Sequence, residues 1–189
     1  MMIKQLSAKE IVEKIELGER FIGFVFKNED CFSGFDLEMN TGFDLKNIEP
    51  IVLAEKKVIA KSGVKWVAPT GYYLSVVPRS GISYKTPIVI ANSPGTVEAS
   101  YRGDIGMILK VDKDYLDGFQ EYKGIKKVGY SIHIPQYTRL AQCLIHRTIF
   151  APFEDIPVYY CIDEDLYENW EEVCPSVRGS QGYGSTGTR

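Results

Sequence analysis

From Phe21 to Ile162 the apolar residues fall into short runs rich in Val, Ile, Tyr and Phe, cut repeatedly by Gly, Pro, Asn and Ser. The runs are Phe21 to Phe26, Lys56 to Ala60, Tyr72 to Val77, Pro87 to Ile90, Gly106 to Val111, Val128 to Ile134, Leu140 to Phe150 and Val158 to Ile162. Runs of this kind suit strands, and the residues between them supply turns. No helical segments alternate with them, so the pattern predicts an all-β barrel or sandwich and excludes a parallel α/β sheet. One helix is expected ahead of them: Ser7 and Glu10 form a capping-box pattern, Ile11 and Ile15 share a face, and Gly18 closes the segment.

A chain of 189 residues, 44% of them hydrophobic, can bury a single core. Its net charge of -3 argues against broad neutralisation of nucleic-acid phosphates, so an anionic ligand must be held by a few placed cations. The four cysteines lack the close paired spacing of zinc sites and read as free thiols of a reducing compartment. His133 and His146 read as strand residues, not metal ligands. The first twenty residues carry no basic-then-apolar leader, and no apolar run approaches a bilayer span, so a soluble cytoplasmic chain without a membrane partner is expected.

Two stretches, Asp112 to Lys127 and the acidic Asp163 to Glu172, read as surface elaborations, the acidic one as a solvated face. Residues 178–189, almost wholly Gly, Ser and Thr apart from Arg178, Gln181, Tyr183 and Arg189, cannot form a core and are expected to be mobile.

Several segments carry chemistry. Pro78-Arg79-Ser80-Gly81 brackets a turn that presents a guanidinium, a hydroxyl and backbone amides together, the groups that grip phosphate oxygens. Asn92 to Glu98, with Pro94-Gly95 inside it, suggests a tight hairpin able to read a flat polar ring, and Tyr101 offers a face for a sugar. Glu98 is the candidate base. Gln142 places an amide in the apolar run from Leu140 to Ile145, where a buried amide without partners costs about 1–3 kcal/mol and therefore bonds backbone or a ligand. Arg178 and the glycines after it permit close approach to phosphates. Each segment alone is also compatible with an ordinary turn or a solvent-facing hairpin.

Taken in order, the segments resemble the five motifs of the dUTPase family: Thr41 to Leu45, Pro78 to Gly81, Gly95 to Asp104, Arg139 to Ile145 and Arg178 to Gly187. Ser33-Gly34-Phe35-Asp36-Leu37 nearly duplicates the first, and the distance to Pro78 selects Asp44. The resemblance implies a distorted jelly-roll-like barrel of residues 1–177, with residues 1–40 as an extension, and a C-terminal lid of residues 178–189. It implies a homotrimer whose sites are shared between subunits, and hydrolysis of dUTP to dUMP and pyrophosphate with Mg²⁺. Arg79, Ser80 and Gly81 would hold the α- and β-phosphates, with Gln142 helping at the α-phosphate. Asn92, Thr96 and Val97 would read uracil, Tyr101 would lie against the deoxyribose, and Glu98 would activate water. Arg178 would meet the γ-phosphate, Tyr183 would cover the base, Gly184 and Ser185 would line the phosphates, and Asp44 would reach the metal through water.

Three departures from the family pattern stand out. Glu98 replaces an aspartate, Tyr137-Thr138-Arg139 replaces Gly-Asp-Arg, and Tyr183 replaces phenylalanine. A dCTP deaminase-like enzyme and a catalytically weakened nucleotide-sensing module are the competing readings. Ammonia release from dCTP discriminates the first, and analogue binding without pyrophosphate release discriminates the second.

Overall fold

The structure, a computed structural model, describes residues 3–35, 42–152 and 154–182. In chain order the elements are β1 (Ile3–Gln5), α1 (Ala8–Glu16), β2 (Ile22–Phe26), β3 (Phe43–Lys46), β4 (Ile51–Leu53), β5 (Val58–Ala60), β6 (Val64–Val67), β7 (Tyr72–Pro78), α2 (Ser80–Lys85), β8 (Ile88–Ile90), β9 (Gly95–Glu98) and β10 (Met107–Val111). They continue with α3 (Lys113–Leu116), β11 (Glu121–Tyr122), β12 (Ile125–Val128), β13 (Ser131–Ile134), β14 (Arg139–Arg147), β15 (Val158–Ile162), α4 (Glu164–Glu168) and α5 (Trp170–Val173).

The strands form four small sheets, ordered β1-β15-β2-β6, β5-β10-β8, β11-β12-β13-β4 and β3-β14-β7-β9. Non-consecutive neighbours in every sheet mark the crossovers of a jelly-roll-like barrel. The sheets share one interior, in which Phe24, Phe26, Leu45, Trp66, Leu74, Met107 and Leu109 are fully buried. Phe24, Phe26, Phe35 and Phe43 pack edge-on and tilted at centroid distances of 5.0–6.1 Å, the arrangement their ring quadrupoles favour.

α1 begins as its sequence dictates. Ser7 accepts from the Glu10 N–H at 3.3 Å while Glu10 accepts from the Ser7 N–H at 2.8 Å, and Gly18 takes φ +65 just past the last turn. The helix buries Ile11 in a second, smaller core with Phe21, Val25, Leu166, Tyr167 and Trp170.

That smaller core corrects the reading of the acidic stretch. Asp163 to Glu172 is not a solvated face: its acids point outward, but Leu166, Tyr167 and Trp170 are buried and the Trp170 indole N–H donates to the Trp66 carbonyl at 3.2 Å. The stretch from Asp112 to Lys127 is likewise half structural, because Leu116, Phe119 and Ile125 enter the main core. Val128 to Ile134 is two strands, divided by a turn at Gly129 with φ +60. Leu140 to Phe150 ends as a strand at Arg147, and the turn that follows exposes Ile149 and Phe150. All four cysteines are free and buried. Among the described residues no helix is long and apolar enough to cross a membrane.

Candidate active site

The sheet β3-β14-β7-β9 carries the site. Strand alternation sends Phe43, Leu45, Leu74, Val76, Ala141 and Cys143 into the core, which turns the intervening residues to the other face. Those intervening residues are Asp44, Gln142, Tyr73, Thr96 and Glu98. The face therefore collects the candidate residues of the first, third and fourth motifs.

At one end Gln142 stands between Asp44 on β3 and Val77 on β7. Pro78 leads into Arg79, which is the N-cap residue of α2, so the predicted turn from Pro78 to Gly81 is corrected to the opening of a six-residue helix. A Pro followed closely by Gly masks the helix in sequence. Arg79 leans back across β14: its Nε meets Asp44 Oδ1 at 2.9 Å and its NH1 donates to the Arg139 carbonyl at 3.2 Å. Arg139 approaches the other carboxylate oxygen of Asp44 at 3.7 Å. One carboxylate thus serves two guanidinium groups, leaving net positive charge beside Ser80, Gly81 and Gln142. Arg139 is a member of this cluster that residue-by-residue reading did not single out.

Tyr137, where the family pattern has glycine, adopts φ +57, a conformation that favours glycine. Its N–H donates to the Asn47 carbonyl at 2.7 Å, and Asn47 Oδ1 accepts from the Thr138 N–H at 2.9 Å. Asn47 therefore fixes the entry to β14 in the absence of the family's aspartate.

At the other end Glu98 lies opposite Tyr73, which lies opposite His146. Directly opposed residues share a face, and the His146 ring stacks on Tyr73 at 5.0 Å. Glu98 is more than half exposed, with its side chain at 56%. It lines a cavity of about 350 Å³ together with Asn92, Thr96, Tyr101, Arg178 and Gly182. Val97 lines the same cavity, while Gly95 sits under the Asn92 amide, where a Cβ would meet Asn92 Nδ2 at 3.1 Å. Arg178 forms an ion pair with Glu98, and its guanidinium carbon lies 5.7 Å from the Tyr101 ring centre.

Tyr101 is held edgewise by a close approach: a Cβ at Gly103 would come within 2.6 Å of Tyr101 Cζ, so the Tyr-Arg-Gly sequence needs its glycine. The Tyr101 hydroxyl donates to the Asp104 carbonyl at 3.1 Å. The Asp104 carboxylate accepts from the Ser62 and Gly63 N–H groups and the Tyr167 hydroxyl, each at 2.7 Å. Burial still outweighs these bonds and raises its carboxyl above the ordinary aspartate range. Tyr167 is pushed up in turn by burial and by the facing Asp104 charge.

Arg79 and Glu98 do not converge within one chain. Pro78 and Tyr73 are five residues apart on β7, roughly 16 Å at the usual strand rise, and Arg79 turns toward β3 on the side away from β9. The structure brings Arg79, Ser80, Gly81, Gln142 and Asp44 together in one group, and Asn92, Thr96, Val97, Glu98, Tyr101 and Arg178 in another. Tyr183, Gly184 and Ser185, with Thr41, lie outside the described residues.

Among the described residues no three His, Cys, Asp or Glu side chains gather at one point. The described residues offer no metal cage of their own. A single, mostly buried carboxylate beside a cluster of guanidinium, hydroxyl and amide groups does suit a hard cation that keeps most of its waters.

Comparison with known proteins agrees with the family resemblance. A family model described as dUTPase matches residues 33–115. A deoxyuridine 5'-triphosphate nucleotidohydrolase of Chlamydia felis is 34% identical over 165 residues, covering 83% of this chain and 95% of that protein. One from Picosynechococcus is 32% identical over 152 residues, covering 80% and 87%. Among solved structures, a mutant dUTPase from phage phi11 of S. aureus, determined with a structural Mg(II) ion, superposes with TM-score 0.57 at 23% identity over 72% of this chain and 97% of that one. A Staphylococcus bacteriophage 80alpha dUTPase mutant with dUpNHpp gives 0.56 at 23% identity, covering 71% and 95%. Identity and coverage of this order, on a similar jelly-roll-like fold, make the chain a member of the dUTPase family.

Proposed function

We propose that the chain hydrolyses dUTP to dUMP and pyrophosphate, with Glu98 as the base that activates water. The observation that carries this reading is the cavity in which the Glu98 carboxylate, the Tyr101 ring and the Asn92 amide face one space of about 350 Å³, the size of a small-ligand site. Uracil enters against the backbone around Thr96 and Val97 and the Asn92 amide, and the deoxyribose lies on Tyr101, where little space remains for a ribose 2′-hydroxyl. Glu98 holds a water and takes its proton as the oxygen attacks the α-phosphorus; pyrophosphate leaves. A carboxylate one methylene longer than the family's aspartate fits here because β9 ends at Glu98, at the rim of the sheet.

Arg79, the Ser80 hydroxyl and Gln142 bind phosphate oxygens, and Asp44 keeps the Arg79 guanidinium in place. Arg178 exchanges Glu98 for the γ-phosphate when substrate binds, and residues 178–189 act as a lid that excludes bulk water. Asp44 is the residue that would reach the water shell of a phosphate-bound Mg²⁺, which would supply charge neutralisation as pyrophosphate departs. Because Arg79 and Glu98 diverge on one chain, each site joins the Arg79 cluster of one copy to the Glu98 pocket of another, in a homotrimer. Four buried free thiols suit a reducing cytoplasm.

Pyrophosphate release from a panel of deoxynucleoside triphosphates, with and without Mg²⁺, tests the reading. dUTP alone should be turned over rapidly, and only with the metal. Ammonia from dCTP, or tight analogue binding with no pyrophosphate, would overturn it.

A further inference from the structure

We infer that Tyr167, on α4, is a positioning residue for sugar choice: acting through Asp104 it fixes the Tyr101 ring, and so sets the preference of the site for a deoxyribose over a ribose. This rests on the reading of the Tyr101 pocket as the nucleotide site. Residues 99–106, between β9 and β10, form no helix or strand, so bonds to other elements hold Tyr101 in place. The Ile105 N–H donates to the Val64 carbonyl at 2.8 Å. Asp104, beside it, is the link. Its carbonyl accepts from the Tyr101 hydroxyl, while its carboxylate is held by the Ser62 and Gly63 N–H groups and the Tyr167 hydroxyl. A shift of the carboxylate carries the carbonyl with it, and with that the far end of the Tyr101 ring. The ring already lies against the Gly103 backbone, which leaves no slack to absorb such a shift.

Tyr167 is built to hold this link. It is 5% exposed, and its carbonyl accepts from Lys65 Nζ at 2.7 Å. The Lys65 and Lys27 ammonium groups lie 4.3 Å and 5.6 Å from its ring centre. Asp163 caps α4 by accepting from the Leu166 N–H at 2.8 Å, which fixes the turn that carries Tyr167. Burial and the facing Asp104 charge raise the Tyr167 hydroxyl, so it keeps its proton and stays a donor. Among the described residues it is the one side chain that hydrogen-bonds the Asp104 carboxylate, from 63 residues away in sequence. A wall that rejects one added hydroxyl by shape yields a preference on the order of a hundredfold, and that preference depends on where the wall stands.

Calorimetry of the assembled full-length protein with α,β-imido analogues of dUTP and UTP reads the preference without catalysis. Tyr167→Phe keeps the ring and removes only the hydroxyl; it should lower the affinity ratio of the deoxy to the ribo analogue about tenfold. Tyr101→Phe cuts the same link from the other end and should lower the ratio by a similar factor. The double variant should lower it no further than either single change, because both act through Asp104. Additive losses, an unchanged ratio in either single variant, or a Tyr167→Phe chain that fails to fold would overturn the proposal. So would a wild-type protein that binds the two analogues equally. A wild-type protein that binds neither would overturn the pocket reading and the proposal together. One that prefers the deoxy analogue yet releases no pyrophosphate from dUTP would sink the hydrolytic reading and leave the role of Tyr167 to be decided by the ratios.

Discussion

The Arg79 guanidinium and the Asp44 carboxylate meet at 2.9 Å across the intervening strand β14, with Arg139 on the second carboxylate oxygen at 3.7 Å. The pair is partly screened, with side-chain exposures of 31% and 14%. Its value lies in aim more than in stability. Asp44→Asn should change unfolding free energy by about 1 kcal/mol or less. It should lower kcat for dUTP about tenfold, as Arg79 loses its fixed direction. Steady-state kinetics beside urea unfolding check both, and a variant with unchanged kcat would reduce Asp44 to a charge balance.

Glu98 is exposed at the end of β9 and packs against nothing in the core. Glu98→Gln should leave the melting temperature unchanged and analogue affinity within about threefold, while turnover falls by roughly 10²–10⁴, the usual worth of a positioned base. Calorimetry with a non-hydrolysable dUTP analogue and a pyrophosphate assay on one preparation separate the two effects.

Trp170 tests whether the acidic stretch is structural. It is fully buried and its indole N–H is bonded. Trp170→Ala should cost about 3–5 kcal/mol. Loosening α5 should also shift Tyr167 on the adjoining α4 and raise the KM for dUTP in the protein that remains folded. Chemical denaturation measures the first, and kinetics at low temperature measure the second.

Asp104 gives stability a pH signature. Its carboxyl is held above the ordinary 3.8 by burial, so the folded chain binds that proton more tightly than the unfolded chain does. The resulting stabilisation is complete below pH 3.8 and is lost as pH rises through the folded value. Asp104→Asn removes this dependence. The same change sets an amide against three donors and should cost about 1–3 kcal/mol at neutral pH. Urea unfolding from acid to neutral pH should show the two proteins' stability difference varying with pH; a constant difference would contradict the raised value.

What sequence made legible was local. The Ser7–Glu10 capping box needs only three residues of separation, and the structure reproduces it bond for bond. The motif at Gly95 to Asp104 is contiguous, and Gly95, Thr96, Val97, Glu98 and Tyr101 of it line one pocket. The acidic stretch misled because two short helices carry their charges outward, although Leu166, Trp170 and Cys174 recur at a spacing of four and mark a buried stripe. Arg139 reaches Asp44 only through strand register, and Arg102 is a buried cation held by the carbonyls of Cys174, Ala99 and Tyr101, partners that carry no side-chain charge to announce it. The divergence of Arg79 and Glu98 is invisible without knowing that one follows β7 and the other ends β9.

Hydrolysis of dUTP in heavy-oxygen water, with mass analysis of both products, tests water attack on the α-phosphorus most directly. Solvent oxygen should enter dUMP, and only in protein that retains Glu98. Label in the pyrophosphate, or labelled dUMP formed at the wild-type rate by Glu98→Gln, would contradict it.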